Sequence, residues 1–138
     1  MAVVEELLRT EENGAISFGN YKLDSKAKVE DYENGGDLYK VKTYRELTKL
    51  EKNGMFAYES QPGTSVTDFC ETEEGVTFQV EAAEDAQITV GLKEDSEYSV
   101  TVGDMNIGTM KTNLSGKLSI SVELENAGEV MVKIVKNG

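Results

Sequence analysis

The sequence predicts an all-β protein: an antiparallel β-sandwich over residues 61–138, with an N-terminal β-hairpin region over residues 1–60 packed on it. Three observations lead there. From Val66 to Val135, apolar and polar residues alternate in one short segment after another, the period of strands with one buried face. The segments are separated by Gly, Asn and Asp, the residues that accept the positive φ of tight turns. Pro62, the only proline, marks a shift in composition between the two regions.

In chain order, Val3 to Leu8 has the propensity for a helical turn, but Asn13-Gly14 follows closely and Ala15 to Phe18 resumes with strand character, so this stretch reads strand, turn, strand. Tyr21 and Leu23, two apart, extend the second strand. Val29 to Tyr32 and Leu38 to Tyr44 flank Asn34-Gly35-Gly36-Asp37 and form a second hairpin. Between Tyr44 and Lys52 a short helix competes, because Leu47 and Leu50 stand three apart among good helix formers; Asn53-Gly54 ends it. Met55 to Tyr58 is a further strand, closed by Gln61-Pro62-Gly63.

Seven strands follow: Val66 to Cys70, Val76 to Val80, Ile88 to Leu92, Tyr98 to Val102, Met105 to Met110, Leu118 to Leu124 and Val130 to Val135. That count in so short a stretch is that of a small sandwich. The inward sets are Val76/Phe78/Val80, Ile88/Val90/Leu92, Tyr98/Val100/Val102, Leu118/Ile120/Val122 and Val130/Val132/Ile134. Gly103-Asp104 and Asn113-Leu114-Ser115-Gly116 read as two hairpin turns.

The formal net charge is −12, and it is uneven. Residues 1–60 carry nine Lys/Arg against twelve Asp/Glu, whereas residues 61–138 carry five against fourteen. Such a balance argues against nucleic acid, whose phosphates need a basic surface, and against anionic membranes. Repulsion between like-charged molecules also discourages pairing of exposed strand edges. Met1 to Thr10 lacks the cationic start and apolar core of a secretory leader, and Cys70, the single cysteine, has no disulfide partner in the chain. The expectation is a cytoplasmic protein.

Tyr98 to Val122, with its pattern Y-x-V-x-V-G followed by N-x-S-G-x-L-x-I, resembles the final strands of immunoglobulin-like modules appended to bacterial carbohydrate-active and surface proteins. That resemblance implies an immunoglobulin-like sandwich. Ile16-Ser-Phe-Gly-Asn-Tyr21, Asn53-Gly-Met-Phe and Tyr58-Glu-Ser-Gln-Pro-Gly63 resemble small acidic clostridial proteins labelled endosialidase. Sialidases hold the sugar carboxylate with three arginines beside a tyrosine, a glutamate and an aspartate. This chain has only Arg9 and Arg45, so no catalytic residue carries over.

The chain has no histidine, which removes the commonest general base, histidine-activated nucleophiles and most zinc sites. Carboxylate chemistry remains, with candidate clusters Glu71/Glu73/Glu74, Glu81/Glu84/Asp85 and Glu94/Asp95/Glu97, each beside a turn where acids are usually only solvated. Calcium would need six to eight converging oxygens. Glu81, Glu84 and Asp85 are the first choice for it, although no Asp-x-Asp-x-Asp-Gly loop is present. Cys70, with no local cation, reads as a small core residue.

The expected role is a non-catalytic interaction or assembly module, neither enzyme nor cofactor protein. Its surface is Tyr21, Tyr32, Tyr39, Tyr44 and Tyr58, offered to a protein partner or to copies of itself in a homo-oligomer. A carbohydrate-binding accessory module is the alternative, weakened by the absence of tryptophan, and a carboxylate glycosidase is a third reading.

Overall fold

The computed structural model describes residues 3–137. Among the described residues, thirteen strands and no helix make two antiparallel sheets, stacked as a sandwich and not closed into a barrel. In spatial order the seven-stranded sheet is β1 (Leu8–Thr10), β2 (Ile16–Phe18), β7 (Ser65–Thr72), β8 (Gly75–Glu81), β13 (Val130–Lys136), β10 (Glu97–Val102) and β11 (Met105–Lys111). The six-stranded sheet runs β12 (Lys117–Val122), β9 (Ala86–Gly91), β6 (Met55–Gln61), β5 (Leu47–Lys52), β4 (Asp37–Tyr44) and β3 (Ala27–Asn34). The N-terminal strands therefore join both sheets: β2 pairs with β7 and β6 pairs with β9. The boundary expected at residue 60 falls inside β6.

The turns follow the sequence signals. Gly35 and Gly36 have φ of 61° and 87° between β3 and β4, and Asn53 and Gly54 have 53° and 78° between β5 and β6, the geometry of turns whose twist matches that of the flanking strands. Asn53 also ties the two turns together, since its Oδ1 accepts the Leu38 amide at 2.9 Å and its Nδ2 donates to Asp37 Oδ1 at 2.9 Å.

Several expectations are corrected. The stretch where a helix competed is strand β5, because Thr48 and Leu50 alternate inward and both neighbours supply ladder bonds that outweigh a modest helix propensity. β2 stops at Phe18: Gly19 turns with φ 96°, and Tyr21 and Leu23 lie in the loop beyond. Asn113 to Gly116 makes no hairpin but carries the chain from β11 in one sheet to β12 in the other. Cys70 is exposed, since a register shift between Thr67 and Cys70, with Asp68 at φ 54°, sends Phe69 inward and Cys70 outward.

The core is continuous between the sheets. The inward sets of β8, β9, β10, β12 and β13 are buried, with Leu92, Val102 and Val130 at the rim, and Leu8, Ile16, Phe18, Val41, Leu50 and Tyr58 from the N-terminal strands join them. Its centre is aromatic: Phe18 meets Tyr58 edge-on at 5.2 Å and Phe69 at 5.4 Å, and Tyr58 meets Phe78 at 5.6 Å.

One part of the core is polar, and it reaches the loop after β2, where the Asn20 amide donates to Thr43 Oγ1 at 2.9 Å. Thr64 Oγ1 hydrogen-bonds Tyr58 Oη at 2.7 Å and Ser60 Oγ at 2.9 Å. The Thr64 amide donates to Thr48 Oγ1 at 3.0 Å, and Thr48 Oγ1 donates to the Thr64 carbonyl at 2.8 Å and meets Thr43 Oγ1 at 2.8 Å. All five side chains are fully buried and hydrogen-bonded, so the network fixes the β6–β7 connection without an orphaned group.

Burial raises the Tyr58 phenol far above its ordinary value of 10.0, and burial likewise raises Tyr39 and Tyr21, with Glu81 reinforcing the shift at Tyr21. The folded protein thus keeps protons that the unfolded chain releases. The resulting stability is intact below about pH 10 and is lost as pH rises above it. Denaturant titrations at pH 8 and pH 11 should show this loss. Tyr58→Phe should reduce its slope by up to about 1.36 kcal/mol per pH unit while leaving the part owed to Tyr21 and Tyr39.

Candidate functional site

The outer face of the six-stranded sheet differs from the rest of the surface. Five of the fourteen Lys/Arg in this acidic chain sit there: Lys28, Lys40, Lys42, Lys49 and Lys117. Hairpin register aligns three of them, because Lys28 on β3 lies opposite Lys42 on β4, and Lys42 lies opposite Lys49 on β5. The same row continues through Glu59 on β6 and Thr89 on β9 to Ser119 on β12. Six strands at about 4.8 Å spacing make it roughly 24 Å long.

Like charges directly opposite each other destabilise a sheet, so the fold gains nothing from this row. Nearby glutamates offset part of the charge: Glu30 lies 3.4 Å from Lys40 and 4.0 Å from Lys28, and Glu51 lies 3.7 Å from Lys49. Lys42, at the centre of the three, makes no ion pair among the described residues.

The far end of the row enters a cleft of about 290 Å³ lined by Phe56, Glu59, Gln61, Gln87, Thr89, Asn113, Lys117 and Ser119. The Lys117 ammonium stands 4.5 Å from the centre of the Phe56 ring. Gly91 makes that stacking feasible, since a Cβ there would collide with the Phe56 backbone. Thr89 and Ser119 hydroxyls bond at 2.7 Å, and Ser121 Oγ donates to Gln87 Oε1 at 2.9 Å. Amides, hydroxyls, one carboxylate and one cation therefore face solvent together over a single aromatic ring.

The five tyrosines expected to form one surface are not brought together. Tyr58 has no exposed surface and Tyr39 keeps 7% of its own, so neither is free to meet a partner. Tyr32 bonds Thr10 Oγ1 at 3.0 Å, Tyr21 donates to Glu81 Oε2 at 3.3 Å, and Tyr44 lies 5.7 Å beneath the Lys26 ammonium. Inward alternation on β4 and β6 takes Tyr39 and Tyr58 into the core, as hairpins do with their large side chains.

The acidic clusters lie at strand ends and turns. Asp85 Oδ1 accepts the amides of Leu124 at 2.9 Å and Glu125 at 3.0 Å, and Asp95 pairs with Lys111 at 3.1 Å. Glu71 meets Lys52 at 3.5 Å across the two sheets. Among the described residues, no group of three or more His, Cys, Asp and Glu is arranged to hold a metal ion.

Sequence reading missed the lysine row. Part of it was accessible: a two-residue turn at Arg45-Glu46 sets Tyr44 opposite Leu47, and hence Lys42 opposite Lys49. Lys28 was hidden by the register shift between Val29 and Tyr32, with Asp31 at φ 57°. Compared with protein-family models, curated proteins and solved structures, the chain matches none of them.

Proposed function

We propose that this protein is a non-catalytic binding module whose working surface is the outer face of the six-stranded sheet, and that its ligand is an acidic glycan. The row Lys28, Lys42, Lys49 carries the reading, as a cost to the sheet that an anionic ligand offsets. The chemistry of the adjoining cleft selects the class. Protein interfaces centre on buried aromatic and aliphatic anchors, whereas this cleft offers amides and hydroxyls with Phe56 already covered by Lys117. Nucleic acid would require a basic domain and several stacking aromatics, against a net charge of −12. A uronate-type polysaccharide lying across the strands would set carboxylates on the lysines and hydroxyls against Gln61, Gln87 and Thr89. The non-catalytic part draws support from the acids of this face: Glu30 and Glu51 are engaged with lysines, and Glu59 is the single carboxylate lining the cleft, without the second acid that glycoside cleavage uses.

Calorimetry with polygalacturonate and with neutral dextran checks this. Binding to the first and not the second is expected, weakening as salt rises. Reversal of both central charges in Lys42→Glu/Lys49→Glu should lower affinity by about tenfold or more, roughly 1.4 kcal/mol. Equal binding of both polymers, or a double variant that binds as well as the parent, would sink the reading, and release of new reducing ends on prolonged incubation would end its non-catalytic part.

A further inference from the structure

We infer that this protein has a second binding site, apart from the lysine row, and that it takes a small zwitterion, a free α-amino acid. The site is a cleft of about 250 Å³ between the two sheets, at the end where the β1–β2 and β3–β4 turns meet. Asp37 and Tyr39 on β4, Lys52 on β5 and Glu71 on β7 bring polar groups to it, and Ala15, Ile16 and Phe69 give it an apolar wall. It shares no residue with the lysine row or with the cleft beside Lys117, so this site and the glycan reading each stand or fall alone.

Tyr39 carries the inference. Its ring belongs to the core, and the 7% of the residue left exposed is too little to serve a macromolecular surface. Its hydroxyl, however, has no hydrogen-bond partner among the described residues, and no side-chain oxygen sealed from solvent is left unpaired. The phenol oxygen therefore opens onto the cleft, where the charges of Lys52, Glu71 and Asp37 all bear on it. The other two core tyrosines behave differently: Tyr58 Oη meets Thr64 Oγ1 at 2.7 Å, and Tyr98 Oη accepts the Lys93 amide at 3.2 Å. A buried hydroxyl normally finds a partner inside the chain, and Tyr39 holds its own toward a ligand.

The charges beside it select the ligand. Lys52 Nζ lies 3.5 Å from Glu71 Oε1 and 3.7 Å from Asp37 Oδ2, longer than the roughly 2.8 Å of a close charge-assisted hydrogen bond, so the ammonium keeps donors for a further acceptor. Glu71 turns Oε1 to that ammonium and has Oε2 for another donor, whereas Asp37 Oδ1 already accepts from Asn53 Nδ2 at 2.9 Å. A carboxylate set against Lys52 and Tyr39 takes a hydrogen bond from each, and an ammonium set against Glu71 gives one. A simple anion would be repelled by the two carboxylates and a simple amine by Lys52, so the two ligand charges are needed together. An α-amino acid carries both on one carbon, and the apolar wall suits a small side chain. The walls stand ready: Asn34 Nδ2 donates to the Gly14 carbonyl at 3.1 Å, and Asn53 Oδ1 accepts the Leu38 amide at 2.9 Å, which lowers the ordering cost of binding.

Titration of the isotope-labelled intact chain with L-alanine, L-serine and L-valine, followed by NMR of the backbone amides, tests it. Saturable shifts at Gly14, Gly35 and Cys70, which line the cleft, are expected with at least one of the three at millimolar concentration. The matching amine, which lacks the carboxylate, and the matching N-acetyl acid, which lacks the ammonium, should each bind about tenfold or more weakly than the amino acid. Tyr39→Phe should weaken binding about tenfold while leaving the melting temperature near neutral pH unchanged, because the hydroxyl it removes bonds to nothing in the chain. Lys52→Met leaves only carboxylates beside the phenol and should reverse the preference, so that the amine binds better than the amino acid. Absence of saturable shifts with all three, shifts confined to residues outside the cleft, an amine or N-acetyl acid that binds the parent chain as well as the amino acid does, or a Tyr39→Phe chain that binds as well as the parent would each overturn the proposal.

Discussion

Phe18→Ala is expected to cost about 3–5 kcal/mol, the largest loss from any single truncation we consider. Phe18 is fully buried on β2, a strand of only three residues. Its ring contacts Phe69 on the adjacent β7 and Tyr58 in the opposite sheet, so one side chain fastens the N-terminal strands both laterally and across the sandwich. The cavity left by truncation is walled by two rings that are themselves held, Tyr58 by its hydroxyl and both by Phe78, and so collapses poorly. Urea denaturation measures the loss. Amide exchange should quicken first at Leu8–Thr10, because β1 is held laterally only through β2. A loss below about 1.5 kcal/mol, within the range of a tolerated core swap, would show that the aromatic centre does not bind the two sheets as described.

Thr64→Val should cost about 2–4 kcal/mol although it preserves the shape of the side chain. The change removes the oxygen that both Tyr58 Oη and Ser60 Oγ use, leaving two hydroxyls in a site without water access. The bonds from Thr48 to the Thr64 amide and carbonyl do not involve the altered atom and hold the connection in place. The loss should therefore be energetic and not a rearrangement. A double-mutant cycle gives the cleaner signal, since adding Tyr58→Phe removes one orphaned hydroxyl and should recover about 1 kcal/mol relative to additivity. Strict additivity would mean that Tyr58 and Thr64 are not coupled.

Much of this fold was legible because its signals are local. Gly35-Gly36 needs positive φ, and few residues supply it cheaply, so that hairpin could be placed from the four letters Asn34 to Asp37, whereas Asn53-Gly54, with the same geometry, reads equally well as the end of a helix. The alternation of β8, β9, β10, β12 and β13 named the buried residues for the same reason. Pairing between distant strands left no such mark: nothing in Ile16 announces Phe69, its partner across β2 and β7. Turn chemistry was ambiguous at Asn113 to Gly116, because the same residues serve a hairpin or a crossing between sheets. Alternation failed at Asp68, where one extra residue reverses which side chains point inward and so misplaced Cys70. Tyrosine content suggested a surface that burial of Tyr39 and Tyr58 denies, while the lysine row, built from three strands, emerges only when register is known.

The position of β13 governs the order in which this chain becomes a protein. It is the last of the thirteen described strands in chain order, yet it lies between β8 and β10 in the interior of the seven-stranded sheet. Until Val130–Lys136 arrive, the facing edges of β8 and β10 have nothing to bond with, and Val76, Phe78 and Val100 lack the neighbours that share their layer. The seven-stranded sheet is therefore completed only when Val130–Lys136 are present, and its rate is set by contacts between residues some fifty positions apart, such as Val132 with Phe78. A nascent chain stopped short of Val130 carries two open strand edges, the form of this molecule that a cell's chaperones would have to hold.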